Sequence, residues 1–169
     1  MKSILLIPAL LLALAAPAFA ADSAQSPTDD ATAAAPAPKG YFDRAGDLVI
    51  HALALIGVKY KWGGNDPAAG LDCSGLVSHV FHEVTGMVLP RNSRAMSKEG
   101  SAVDKNELKP GDLVFFNTLR RPFSHVGIYI GEDRFVHAPR RGREVEVSEL
   151  RDSYWKKRFN GARRLLMNQ

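Results

Sequence analysis

Thiols are nearly missing from this chain: Cys73 is the only cysteine in 169 residues. That scarcity excludes an internal disulfide, Cys-x-x-Cys redox chemistry and zinc folds built on paired cysteines. The His-Glu-x-x-His helix of zinc peptidases is missing too. No apolar run reaches the ~20 residues that a bilayer crossing takes. The longest, residues 4–16, is broken by Pro8. Between residues 22 and 40 there is no large apolar side chain, and no segment repeats another, which argues against a solenoid.

What is present sorts into three parts. Lys2, the apolar stretch after it and Ala18-Phe19-Ala20 read as a signal peptide over residues 1–20, cleaved before Ala21. With no cysteine at that junction, lipid attachment there is excluded, and the product is expected in the periplasm or secreted, without stable membrane insertion. Residues 21–40, rich in Ala and Pro, cannot offset the entropy of ordering and read as a flexible leader. Residues 41–169 are long enough for one domain and too short for two. The pI is about 9.3, and basicity is concentrated late, at Arg140, Arg141, Arg143, Lys156, Lys157, Arg158, Arg163 and Arg164. Without a nucleic-acid motif, no nucleic acid is expected as partner; an anionic wall or envelope surface, or a merely solvated basic face, fits an exported protein.

Hydrophobic spacing changes period along the domain. Ala45, Leu48, Val49, Ala52, Leu53 and Ile56 recur as one face of a helix over residues 43–56. Residues 60–67 read as a loop. Asp72 is placed to cap a second helix carrying Leu76, Val77, Val80, Phe81 and Val84, ended by Gly86. A short polar helix is expected around residues 93–98. From Pro110 onward the period is two. Strands are expected over 113–116, 126–130, 134–138, 143–147 and 161–166, with Ser148 capping a short helix through Tyr154. Helices followed by an antiparallel sheet of about five strands make an α+β domain.

The chemistry centres on Leu71-Asp72-Cys73-Ser74-Gly75-Leu76 and on His125 and His137. At a helix N-terminus the unpaired N–H groups and the dipole favour a thiolate, while the Asp72 carboxylate opposes it. His125 opens a strand and suits a general base; His137, on the neighbouring hairpin strand, is placed to orient it. On the residues alone two readings stand: a nucleophile with its base, or a small buried cysteine with two core histidines. A metal site is not expected. Cys73 and His79 are six residues apart on one helix, roughly 120° out of alignment, and His79 and His82 carry no ligand motif. His51 lies between the two faces of the first helix.

The segments Tyr60-x-Trp62-Gly63-Gly64, Asp72-Cys73-Ser74-Gly75-Leu76-Val77, Leu89-Pro90-Arg91, Pro110-Gly111-Asp112, Ser124-His125-Val126-Gly127-Ile128-Tyr129 and Phe135-Val136-His137-Ala138 resemble, in order, the NlpC-type family of bacterial cell-wall cysteine peptidases. Tyr154-Trp155-Lys156-Lys157-Arg158-Phe159 resembles its Gram-negative members. The resemblance implies a papain-like core, Cys73 as nucleophile, His125 as base and acid, and His137 as the third polar residue. It implies site roles for Tyr60, Asp72 and Ser74, with Asp72 a candidate to bind a substrate ammonium group, and a groove bordered by Trp62 and Arg91. No cofactor is implied. The substrate implied is a peptidoglycan stem peptide, cut between γ-D-glutamate and diaminopimelate; some Gram-negative relatives cut the D-alanyl–diaminopimelyl cross-bridge instead. A silent wall-binding module is the non-enzyme alternative. Whether an activator or targeting protein takes part is not written in the sequence.

Overall fold

The computed structural model describes residues 40–118 and 120–165. The expected signal peptide and all of the leader but Gly40 lie outside them. The first helix, α1 (Tyr41–Ala54), sinks Ala45, Leu48 and Ala52 into the core. Leu53 and Ile56, expected on that face, are exposed. Leu53 stands about 100° around the helix from Ala52, and Ile56 falls beyond the helix end.

The stretch read as a loop carries a two-residue strand, β1 (Asn65–Asp66), which pairs antiparallel with β2 (Gly70–Leu71) just beyond it. They lead directly into α2 (Cys73–Thr85). Asp72 caps this helix as expected, its carboxylate accepting the Gly75 N–H at 2.6 Å, and Gly86 ends it at φ 73°. Leu76, Val77, Val80 and Phe81 are fully buried. A short α3 (Ser93–Met96) follows, capped by Asn92.

The main sheet has six strands, β3 (Ser101–Val103), β4 (Leu113–Phe116), β5 (His125–Gly131), β6 (Arg134–His137), β7 (Glu146–Glu149) and β8 (Phe159–Arg164), in the order β3-β8-β4-β5-β6-β7. The strand beyond the expected five is β3. It is three residues long and paired only with β8, and too short to leave an alternating signature. The β5–β6 hairpin turns over Glu132 and Asp133, both at positive φ (52° and 56°), the backbone that matches a two-residue turn to strand twist.

Alternation along the strands makes two apolar layers. Phe115, Val126, Ile128 and Val136 face α1 and α2. Val114, Phe116, Tyr129 and Phe135 face the other way, against Leu150 and Trp155. Trp155 is carried by α4 (Ser153–Lys156), not by a helix capped at Ser148; Ser148 sits inside β7. Several late basic residues serve the fold. Arg164 grips the fully buried Asp112 through both carboxylate oxygens (2.8 and 2.7 Å), tying β8 to the start of β4. Arg163 donates to the Ser97 carbonyl, Arg143 pairs with Glu146, and Arg158 lies over the Tyr154 ring.

Candidate active site

Cys73 is the first residue of α2, so its sulfur lies where the helix leaves its N–H groups unpaired. The backbone N–H groups of Val126, Ser74 and Cys73 itself act on it. Contact with Val126 sets the thiol at the mouth of β5, one residue from His125. Cys73 and His125 line one pocket of about 640 Å³, together with Tyr60, Trp62, Asp72 and Ser74. Arg91, Arg140 and Arg141 also line it.

Behind the pocket the two histidines are joined. Nε2 of His125 lies 2.9 Å from Nδ1 of His137, which leaves Nδ1 of His125 as the nitrogen for the thiol. Both imidazoles are buried, and the Trp155 ring stacks on His125 at 5.6 Å and meets His137 edge-on at 4.8 Å. This is why a Trp in the late α4 belongs to the site: it walls both rings away from water.

Burial dominates the electrostatics. It pushes the Cys73 thiol up to about 11, with the Asp72 carboxylate adding to the rise and the three N–H groups opposing it. It holds His125 down at about 4, and His137 well below the usual imidazole range with help from His125 and Arg143. At neutral pH the resting pair is therefore thiol and neutral imidazole. The same values set an acid limit on the fold. Between the free imidazole value of 6.5 and about 4 the unfolded chain binds more protons at His125 than the folded one. Stability is thus full above pH 6.5 and falls as pH drops, by about 3 kcal/mol for His125 alone once both states are protonated. The urea midpoint is expected to be level from pH 7 to 8 and to decline between pH 6 and 4. A midpoint unchanged at pH 4.5 contradicts this account of the buried pair.

Asp72 holds the pocket wall together. Its Oδ1 accepts from Gly75 N–H and from the Ser74 hydroxyl (2.9 Å), and its Oδ2 from Gly63 N–H (3.0 Å). Arg91 approaches Oδ2 at 3.7 Å and donates to the Gly63 and Gly64 carbonyls. Ser74 is buried and directs its single proton between Asp72 and the Arg91 carbonyl (3.1 Å). Asp72, Ser74 and Arg91 thus brace the Gly63-Gly64 loop against α2. Trp62, on that loop, is 71% exposed at the rim. Tyr60 is held by its backbone to Arg143 and Leu71. Its phenol is pushed up by burial and by Cys73 and Asp72, with Arg141 opposing.

Residues 143–145, expected to open a strand of the sheet, pair instead with residues 57–60. The β6–β7 connection thereby brings Arg140 and Arg141 to the pocket, a placement no local pattern signals. Another functional candidate missed in the sequence is Ser148, whose Oγ lies 3.0 Å from His137 Nε2. The entry to β5 is a tight loop in which Arg120 and Phe123 both take φ 56°, unusual for such side chains. Ser93 and Asn160 fix it at Phe123. Among the described residues no three His, Cys, Asp or Glu side chains are grouped to hold a metal ion, and no helix is long and apolar enough to cross a membrane. His82 lies beside Glu83 on the exposed side of α2, and His51 is exposed.

A thiol at a helix N-terminus, set against a strand-borne imidazole on an antiparallel sheet, defines a papain-like domain. The chain belongs to the NlpC/P60 family, whose pattern matches residues 57–164. It is similar to the Murein DD-endopeptidase MepH of Escherichia coli strain K12, 37% identical over 78% of this chain and 50% of that protein. It is also similar to the Gamma-DL-glutamyl hydrolase of Bacillus subtilis strain 168, 43% identical over 69% of this chain and 28% of that protein. The crystal structure of an NlpC/P60 family protein from Bacillus cereus ATCC 10987 matches with a TM-score of 0.67 at 36% identity, over 72% of this chain and 40% of that one. The chain thus spans half, or less, of the curated relatives named here.

Proposed function

We propose that this protein is a cysteine peptidase of the cell wall, acting outside the cytoplasmic membrane on amide bonds of peptidoglycan stem peptides. The observation that carries the reading is the pocket shared by Cys73 and His125, with His137 2.9 Å behind His125. In the proposed cycle, Nδ1 of His125 takes the thiol proton as sulfur attacks the amide carbonyl. Backbone N–H groups at the start of α2 stabilise the oxyanion. The imidazolium then protonates the leaving amine, and water, deprotonated by His125, releases the acyl group. Tyr60 borders the attacked carbonyl, and Trp62 forms the rim of the groove. Asp72 and Ser74 shape the pocket, and any hold of Asp72 on a substrate ammonium adds to the bonds it already makes.

For the bond cut, our reading is γ-D-glutamyl–diaminopimelate. Cleavage of the D-alanyl–diaminopimelyl cross-bridge is the second reading, favoured by the DD-endopeptidase name of the Escherichia coli relative. Mass spectrometry of diaminopimelate-type peptidoglycan, digested by wild type and by Cys73→Ala, tests both. New γ-D-glutamyl termini from wild type alone support the first. Uncrosslinked tetrapeptides support the second. No product from folded, reduced wild type overturns the peptidase reading and favours a silent wall-binding module.

A further inference from the structure

The hydrogen bond between the two histidines holds one proton, and its direction decides whether the site works. If His137 Nδ1 carries it, His125 accepts at Nε2, its own proton sits on Nδ1, and it cannot take a proton from the thiol. If His125 Nε2 carries it, Nδ1 of His125 presents a lone pair to Cys73. Neither ring chooses by itself. The choice rests on the far nitrogen of His137, Nε2, because a neutral imidazole has one N–H and one lone pair.

That nitrogen meets Ser148 Oγ at 3.0 Å and Glu146 Oε1 at 4.0 Å. Both come from β7, two residues apart and so on one face, Glu146 opposite His137 and Ser148 opposite Phe135 in the register of β6. Glu146 is in turn paired with Arg143, which keeps the carboxylate beside the ring as an acceptor. The groups that meet His137 are His125 from β5, Ser148 and Glu146 from β7, and the apolar faces of Phe135 and Trp155. Arg143 acts on it through charge. A hydroxyl alone accepts or donates equally well. The Glu146 carboxylate, 4.0 Å from the same nitrogen, accepts only, and this biases the proton onto Nε2.

We infer that Ser148, biased by Glu146, is a positioning residue that fixes His137 as its Nε2–H tautomer and so leaves His125 Nδ1 free to act as base. The proton order is Ser148 Oγ accepting from His137 Nε2–H, and His137 Nδ1 accepting from His125 Nε2–H. When the thiol proton moves to His125 Nδ1, the new positive charge faces a lone pair that is already in place. The inference rests on the peptidase reading for its effect on rate, but not for the tautomers themselves.

Histidine ¹⁵N spectra of the whole protein at pH 7.5 test the inference without substrate. Wild type is expected to show His137 and His125 each protonated at Nε2. Ser148→Ala is expected to mix the His125 tautomers and to lower kcat about tenfold with KM unchanged. Ser148→Thr, which keeps the hydroxyl, is expected to restore both within about threefold. A wild-type His137 protonated at Nδ1 overturns the inference. So does a Ser148→Ala protein with unchanged tautomers and kcat. If wild type cuts no peptidoglycan, the peptidase reading fails while the spectra still decide the tautomers.

Discussion

Replacing His125 with alanine is expected to slow turnover at pH 7 by about four orders of magnitude. The size follows from the thiol. With the Cys73 thiol held at about 11, roughly one sulfur in 10⁴ is ionised at pH 7 in the absence of a base. His125 removes that penalty by taking the proton as the bond to carbon forms. Without it, the rate rests on the rare free thiolate, and so it is expected to climb about tenfold per pH unit toward the thiol value. Wild type, with its imidazole free of protons above about 4, is expected to be level from pH 6 to 8. Cys73→Ala has no nucleophile and is expected to release nothing above the uncatalysed rate. Initial rates of muropeptide release by chromatography, with circular dichroism to verify folding, check both. A His125→Ala protein that keeps a tenth of the wild-type rate, or whose rate does not rise with pH, removes His125 from the role of base. Cys73→Ser with wild-type turnover makes Cys73 a packing residue.

The parts of this molecule that were legible in the sequence are those set by neighbours in the chain. Asp72 before an apolar helical run marks a cap because the side chain reaches its own helix three residues on. The β5–β6 hairpin is legible for the same reason. The NlpC-type resemblance carried the papain-like fold, now supported by the match over residues 57–164. What local pattern missed depends on register between distant strands. Ser148 has the chemistry of a cap and was expected to be one, yet β6 pairs with β7 so that its hydroxyl meets His137. Residues 143–147 alternate like one strand, but two partners divide them, residues 57–60 and β6. Several of the late basic residues that suggested an anionic surface prove to be bound to Asp112, Glu146, Ser97 and Tyr154. Composition counts such charges without seeing their partners.

Gly75→Ala is expected to cost about 3 kcal/mol or more in stability and at least a hundredfold in turnover, although the change adds one methyl group to a helix. A Cβ at Gly75 would lie 1.9 Å from the Gly64 carbonyl oxygen and 3.2 Å from Asn65 Cα. Both are backbone, so no side chain can swing aside. The Gly64 carbonyl that would be displaced accepts the Asp72 N–H at 3.1 Å and an Arg91 N–H at 3.4 Å. Gly64 cannot retreat freely, since its own Cα abuts the Gly70 carbonyl so closely that a Cβ there would lie at 2.1 Å. The strain therefore passes to the Gly63-Gly64 loop, to the Asp72 cap and to the two residues between cap and glycine, Cys73 and Ser74. Misplacing the sulfur by an ångström relative to His125 is enough for the expected rate loss. Gly46→Ala is the matched control. Nothing lies within 4 Å of a Cβ at Gly46 in the middle of α1, so that change is expected to stabilise by about 0.5–1 kcal/mol with turnover unchanged. Urea denaturation and muropeptide release, measured on both proteins, separate the two cases. A Gly75→Ala protein with wild-type midpoint and rate means that the loop gives way without moving Cys73, and that the glycine contact is no part of what positions the thiol.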